Sequence, residues 1–335
     1  KSYGLTVQNF EGEGWADTGT VVLSPGIPLT HPKPHPVVDY ANAQNMSVVG
    51  DIEIFLTEKT AGRIVGITGT NGKSTTSALI YHILKTSGAE TALGGNIGTP
   101  VMDLPALSDE GVYVLELSSY QLDLTPSWHA DVAILLNITP DHLDRHGDME
   151  GYAAVKKRIF QNQLARDAAI INMDDPLCRQ IADEVSGHGH SLAISTERRL
   201  ESGVSVLGGM LQVFAAGRFQ WDVDLRSQPA LKGAHNWQNA AAAAACCLAL
   251  GLKPKAISKG LMSFGGLAHR MEPVGAKDNV AYVNDSKATN AEAAAKSLGS
   301  FENIYWICGG VSKAGGIDSL SGYFDRLAHV FLIGA

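Results

Sequence analysis

The chain has 335 residues, 45% of them hydrophobic and 18% charged, an ordinary globular composition with room for two or three domains. Its net charge of −8 argues against a broad nucleic-acid surface, and no apolar stretch is long enough to span a membrane. The four cysteines, Cys178, Cys246, Cys247 and Cys308, have neither disulfide-framework nor zinc-ligand spacing, so a reducing cytoplasm is the expected setting.

Residues 1 to about 50 are rich in glycine and proline. A short strand, Val21-Val22-Leu23, runs into Ser24-Pro25-Gly26-Ile27-Pro28, where proline and glycine force a turn. From Arg63 strands and helices alternate. Ile64 to Thr68 reads as a strand and Lys73 to Thr86 as a helix. Val112 to Leu117 and Val132 to Asn137 are continuous apolar runs, as in the interior of a parallel sheet. Tyr152 to Leu164 reads as helix, Ala168 to Asn172 as strand, and Pro176 to Val185 as a helix with proline at its start. Val204 to Leu207, Leu211 to Phe214 and Phe219 to Leu225 have hairpin character. Asn236 to Leu250 is an alanine-rich helix. The pattern resets between Phe264 and Glu272. Strands at Val280 to Val283, Tyr305 to Cys308 and Val330 to Ile333, with a helix at Asn290 to Leu298, then suggest a second α/β domain. Both ends read as cut. Lys1 is not an initiator Met, and Val330 to Ile333 reads as a buried strand with further sequence expected after it.

The most informative segment is Gly66-Ile67-Thr68-Gly69-Thr70-Asn71-Gly72-Lys73-Ser74-Thr75-Thr76, which joins a strand to a helix. Glycines let backbone N–H groups turn toward one anion, Lys73 brings charge for β- and γ-phosphates, and the Ser74 hydroxyl can reach Mg²⁺. The new helix adds its positive end. The general nucleotide pattern has glycine five residues before Gly72. Here that position is Ile67, and the glycine is Gly66. A plain strand-to-helix turn explains the glycines but not Lys73-Ser74.

Other polar groups follow the strands. Glu116, at a strand end, can hold Mg²⁺ or be a surface glutamate. Asn137 to His146 contains Asp141, His142 and Asp144. His142 is a metal or substrate candidate, and Asp141 and Asp144 are also candidate helix caps. Lys156-Lys157-Arg158 by itself reads as a solvated basic face. Asn236 and Asn239 share a helical face suited to an adenine edge, with an N-cap as the competing reading of Asn236. Arg270, Asp285, Lys287 and Lys313 fall where a domain cleft could close on an anion.

The phosphate loop, Glu116-Leu-Ser-Ser, Asp141-His142-Leu-Asp144, His235-Asn236 with Asn239, His269-Arg270 and Asp285-Ser286-Lys287-Ala288-Thr289-Asn290 together resemble the Mur ligase family, and in its order. The resemblance implies an α/β, three-domain architecture. Residues 1–50 would be part of an N-terminal domain that binds a UDP-linked substrate. Residues 51–267 would be the central P-loop ATPase domain, and 268–335 part of a C-terminal Rossmann-like domain that binds an amino acid. Leu23 to Pro28 and Glu116 to Leu122 are similar to the members that add D-glutamate to UDP-N-acetylmuramoyl-L-alanine in peptidoglycan precursor synthesis.

For those members the implied chemistry is phosphorylation of a carboxylate by ATP, then attack of the D-glutamate amine on the acyl phosphate. By resemblance, Gly69, Thr70, Asn71, Gly72, Lys73, Ser74 and Thr75 hold ATP, Asn236 and Asn239 meet its adenosine side, Arg270 its phosphates and Asp285 its ribose. Ser24, Pro25 and Gly26 meet UDP, and Asn96 and Ser118 the muramoyl part. Lys287, Thr289 and Lys313 lie toward the reaction centre. Two Mg²⁺ ions are implied, held among Ser74, Glu116, His142 and Lys156, with Lys156 carbamylated by CO₂. Neutralising a free lysine at pH 7 costs roughly 4.6 kcal/mol and leaves a poor ligand for a hard cation, whereas a carbamate is an anionic oxygen ligand. A monomer without nucleic-acid or membrane partners is expected. Three departures stand: Asp318 follows Lys313 later than in the family's commoner form, the family's late serine and aromatic residue that bind D-glutamate are not in this sequence, and the N-terminal glycine-rich turn is absent. The competing readings are a folylpolyglutamate-type amide ligase and a nucleotide-binding module without catalysis.

Overall fold

The computed structural model describes residues 19–59, 61–185, 190–310 and 316–334. By its internal contacts the chain divides into two units. One comprises Lys1–Lys73, Glu90–Ala169 and Asp175–Ser191, and the other Ser74–Ala89, Ile170–Asp174 and Leu192–Ala335.

The first unit opens with β1 (Thr20–Val22), α1 (Pro36–Ala43), β2 (Ser47–Val49) and α2 (Asp51–Glu58). β1 and β2 pair in parallel, Val21 opposite Val48. This small layer is closed by two apolar clusters, Val21 with Ala41 and Met46, and Leu23 with Val38 and Leu124. β3 (Arg63–Thr68) then leads through the glycine-rich loop into α3 (Lys73–Thr86). β4 (Thr91–Gly95), β5 (Val112–Glu116), α4 (Ser119–Asp123), β6 (Val132–Leu135), α5 (Leu143–His146), α6 (Met149–Lys157), β7 (Ala168–Asn172) and α7 (Pro176–Val185) follow, although α3 from Ser74 onward and β7 from Ile170 onward belong to the second unit.

Within this unit the strands lie side by side as β6-β3-β5-β4, all parallel. Every residue of β5 and β6 is buried, and so is β3 after Arg63. Continuous apolar runs are what a sheet covered on both faces requires. β3 has its sequence successors β4 and β5 on one side and β6 on the other, so the order reverses there. In open α/β sheets ligands gather at the strand C-termini beside such a reversal.

The second unit contains β8 (His190–Ser195) from Leu192 onward, β9 (Gly203–Leu207), β10 (Met210–Ala215) and β11 (Arg218–Asp224). β9, β10 and β11 form the antiparallel meander that the hairpin pattern suggested, and β8 joins β9 in parallel. α8 (Ala234–Ala249) and α9 (Pro254–Ser263) come next. Small residues bring helices close here: a Cβ on Gly260 of α9 would sit 2.9 Å from the Ile83 Cα of α3. After residues 264–271 come β12 (Glu272–Lys277) antiparallel to β13 (Val280–Asn284), then α10 (Ala291–Leu298), and β14 (Ile304–Gly309) parallel to β15 (Leu327–Ile333). The last strand is not buried as expected: Val330, Phe331, Leu332 and Ile333 are all exposed. Nor does the helix starting near Tyr152 reach Leu164; α6 stops at Lys157 and a 3-10 turn covers Arg158–Phe160. Periodicity also left β4, β8, α1, α2 and α9 unread. Among the described residues no helix is long and apolar enough to cross a membrane.

Candidate active site

The glycine-rich loop is pinned from the segment that follows β6. Thr70 N–H donates to the Asn137 carbonyl at 2.9 Å, and Asn71 N–H donates to Asn137 Oδ1 at 2.8 Å. Asn137 Nδ2 returns a bond to the Asn71 carbonyl at 3.1 Å. The Thr70 hydroxyl donates to the Thr139 carbonyl at 3.1 Å, accepts the Thr139 N–H at 3.0 Å and lies 3.3 Å from the Tyr152 hydroxyl. Gly72 has φ +86°, a left-handed conformation that favours glycine. At Gly69 a Cβ would stand 3.0 Å from the Leu136 Cβ.

Gly66, the glycine that sits one residue early, serves another purpose. A Cβ there would come within 2.4 Å of Trp128 Cζ2, so it is glycine because the buried indole lies against the strand. Ile67, at the position where the general pattern has glycine, is fully buried and pairs with Glu116 across the sheet.

Lys73 folds over the loop and donates to the Gly69 and Thr70 carbonyls, both at 2.8 Å. Lys156 donates to the same Gly69 oxygen at 2.8 Å, and its ammonium lies 4.6 Å from the Tyr152 ring centroid. The reading of Lys156 as part of a solvated face is overturned, since only 1% of its surface is exposed. α6 turns one side inward, so that Tyr152 and Lys156 are buried while Lys157 pairs outside with Glu184 at 2.8 Å. Burial first, then the neighbouring Lys73 charge, holds the Lys156 amine well below the usual lysine range. Asp141 and Cys178 act weakly the other way.

Glu116 is nearly as buried. Its Oε1 accepts from Asn96 Nδ2 at 3.1 Å and its backbone carbonyl accepts the Asn96 N–H at 2.8 Å. Among the described residues its buried Oε2 has no hydrogen-bond partner. A buried carboxylate oxygen left unpaired is costly, and a cation would satisfy it. Within this unit the donors suit Mg²⁺: hard oxygens at Glu116, and Lys156 if converted to an oxygen ligand. Among the described residues no group of three or more His, Cys, Asp or Glu side chains is placed to hold a metal without other ligands.

His142 caps α5 from a left-handed backbone conformation, φ +53°, and lies 3.3 Å from Asp141 Oδ2. The expected caps Asp141 and Asp144 are not used as such; Asp148 caps α6 by accepting the Gly151 N–H at 2.8 Å. A chain of rings joins His142 to Lys156. Tyr120 lies 5.0 Å from His142 and 5.5 Å from His146, and His146 lies 5.4 Å from Tyr152. His146 is buried against the Ser119 hydroxyl at 2.9 Å. Burial, then the charges of Lys156, His142, Arg145 and His31, lowers its pKa to about 4. Ser118 closes a capping box with Gln121 at the start of α4. Beside it, Arg145 binds the carbonyls of Gly26 at 3.0 Å and Pro25 at 3.4 Å.

In the second unit, Asn236 and Asn239 are both buried. Asn239 Nδ2 donates to Asn236 Oδ1 at 3.2 Å, and Asn239 Oδ1 accepts from the Thr76 hydroxyl of α3 at 3.1 Å. Asn236 is not the N-cap of α8; Gly233 holds that position. Arg270, Lys287 and Thr289 are exposed. The Asp285 carboxylate accepts the Met271 N–H at 2.9 Å and the Ser297 hydroxyl. Lys313 lies outside the described residues. The supports of the loop, Asn137, Thr139 and Tyr152, carried no signal in the sequence as partners of the loop, because each bonds a residue at least 66 positions away.

The model of the Mur ligase middle domain matches residues 67–247. The chain is 50% identical over 339 aligned residues to a UDP-N-acetylmuramoylalanine–D-glutamate ligase of Caulobacter sp. (strain K31), covering 99% of this chain and 72% of that protein. It is 49% identical to the protein of the same name from Brucella abortus (strain 2308), covering 100% of this chain and 72% of the relative. Among solved structures, the MurF ligase of Thermotoga maritima in complex with ADP superposes with a TM-score of 0.64 at 19% identity, over 96% of this chain and 85% of that one. A MurF structure from Acinetobacter baumannii gives a TM-score of 0.60 at 24% identity, over 84% and 65%.

Proposed function

The chain belongs to the Mur ligase family, and we propose that it is the ATP-dependent ligase that joins D-glutamate to UDP-N-acetylmuramoyl-L-alanine during synthesis of the peptidoglycan precursor. The observation that carries the chemistry is the buried Lys156 amine bonded to the Gly69 carbonyl of the phosphate loop. A buried lysine at a nucleotide loop has little structural value, but it has a use if it becomes an anionic ligand there. The choice of acceptor rests on identity to D-glutamate ligases over nearly the whole chain, which favours D-glutamate over a folylpolyglutamate-type acceptor.

In this reading the loop and Lys73 hold the β- and γ-phosphates of ATP, and Asn236 and Asn239 face its adenosine side. Arg270 and Asp285 complete the nucleotide contacts, while Lys287, Thr289 and Lys313 serve the reaction centre and the incoming amino acid. Ser24, Pro25, Gly26, Asn96 and Ser118 hold the UDP-linked substrate. The substrate carboxylate takes the γ-phosphoryl group and ADP leaves. The D-glutamate amine then attacks the acyl carbon, and phosphate leaves with the acyl C–O bond. Two anions must meet in the first step, so fixed positive charge at Lys73 lowers the barrier. Mg²⁺ held by Ser74, Glu116, His142 and the Lys156 carbamate would add the rest of that charge.

Carbamylation fits the Lys156 environment. A neutral amine adds to CO₂ with loss of one proton, and burial beside Lys73 keeps this amine closer to neutral than a surface lysine. The remaining N–H can still donate to Gly69. The test is a full-length preparation given ATP, Mg²⁺, UDP-N-acetylmuramoyl-L-alanine and D-glutamate. Phosphate release that requires both acceptor substrates is expected. Release of equal size with no D-glutamate, or none at all, would reject the assignment.

A further inference from the structure

We propose that Arg145 is a positioning residue for the UDP-linked substrate, acting through the backbone of the Ser24–Ile27 turn. The proposal rests on reading that turn as a substrate contact. The Ile27 N–H donates to the Ser24 carbonyl at 2.9 Å, which closes a four-residue turn with Pro25 and Gly26 at its centre. Both central carbonyls point to one guanidinium: Arg145 Nη1 donates to Gly26 at 3.0 Å and Nη2 to Pro25 at 3.4 Å. The guanidinium is held from another side by the Tyr120 ring, 4.6 Å from its centroid. Among the described residues its Nε is buried without a hydrogen-bond partner, and the two outer nitrogens bond the turn.

The geometry has a chemical consequence. In a trans peptide the C=O and the following N–H point in opposite directions. Turning the Pro25 carbonyl toward Arg145 therefore turns the Gly26 N–H away from it. A cation on the carbonyl side also polarises that peptide, making its N–H a better donor to an anion.

Gly26 gives independent support. It is exposed, a Cβ there would meet nothing within 4 Å among the described residues, and its backbone is not left-handed. Among the described residues neither packing nor a left-handed backbone calls for glycine at this position. A ligand that must approach the backbone closely does. The matching ligand chemistry is a diphosphate: an anion without bulk at the point of contact, meeting the Gly26 N–H, whose peptide Arg145 holds from behind.

The experiment uses the full-length enzyme and three variants, Arg145→Ala, Arg145→Lys and Gly26→Val. KM is measured for each substrate, together with kcat and direct binding of the UDP-linked substrate without ATP. Arg145→Ala is expected to raise KM and Kd for that substrate by about tenfold or more, as losing charge-assisted bonds does. KM for ATP and D-glutamate should stay within about twofold, since their contacts do not involve this turn. Arg145→Lys, with a single point charge in place of a fork, should recover part of the loss. Millimolar guanidinium should restore Arg145→Ala, and ammonium should not. Gly26→Val should weaken the same substrate without lowering the melting temperature.

Each other result has a meaning. If Arg145→Ala impairs all three substrates alike and guanidinium does nothing, its role is structural only and the proposal is wrong. If Gly26→Val weakens binding but Arg145→Ala does not, the turn is a substrate contact and Arg145 is not its support. If neither variant changes binding, the reading of the turn itself is lost, and the proposal with it.

Discussion

Lys73 and Lys156 donate to one and the same carbonyl oxygen, that of Gly69, each at 2.8 Å. Two ammonium groups on one acceptor repel. Burial first, and this repulsion second, shift Lys156 toward the neutral amine. Under the proposed function, this arrangement would let the phosphate loop also prepare a lysine for carbamylation. Lys156→Ala is expected to lower turnover by at least ~10²-fold, the scale of a lost preorganised charge. Added formate or acetate should return part of it. Intact-mass analysis of the wild type at raised bicarbonate should show the addition of one CO₂, absent from the variant. Full turnover of the variant without any additive would reject the role.

Lys73→Ala is expected to cost at least ~10²-fold in kcat, because in the proposed mechanism its charge acts on the transferring phosphoryl group. Steady-state kinetics at saturating ATP checks it. A loss below threefold would count against the assignment.

Glu116→Gln separates stability from function. The amide can keep a partner in Asn96 while removing a buried, unpaired carboxylate oxygen. The melting temperature should stay equal or rise. The Mg²⁺ concentration for half-maximal activity should rise roughly 10–100-fold, the range for perturbing a metal site. A drop in both melting temperature and activity, with Mg²⁺ dependence unchanged, would show that Glu116 is structural.

Gly66→Ala tests whether this glycine belongs to the fold or to the phosphate loop. With Trp128 Cζ2 at 2.4 Å from the new methyl, about 1–3 kcal/mol of destabilisation is expected from overpacking. KM for ATP should be unchanged once the variant is kept below its melting temperature. Denaturant unfolding and kinetics give the two readings.

His146 sets a pH dependence of known sign. Its folded pKa of about 4 lies below the ordinary value of 6.5, so the unfolded chain binds more protons between those values. Its contribution is fully present above about pH 6.5 and is lost as pH falls toward about 4. His235, also lowered to about 4 by burial and Lys296, acts in the same window. Unfolding measured from pH 4 to 7 should therefore show stability rising with pH, with a shallower slope in His146→Gln. An unchanged slope in the variant would remove His146 from this account.

The sequence by itself determined the alternation of strands and helices, the phosphate loop with Lys73 and Ser74, and the order of motifs that marks the family. These are local or nearly local properties. A buried parallel strand must be apolar throughout, and a loop that cradles phosphate must carry glycines and a cation within a few residues. Tertiary structure alone decided what those residues face. Lys156 reads as surface charge until α6 lays its Tyr152 face on the loop. Gly66 reads as a misplaced loop glycine until Trp128 is seen against it. Asn137 and Arg145 are ordinary polar residues until the fold brings Asn71 to one and Pro25 and Gly26 to the other. Burial and partner choice depend on which distant segments meet, and pattern within a short window carries no record of that.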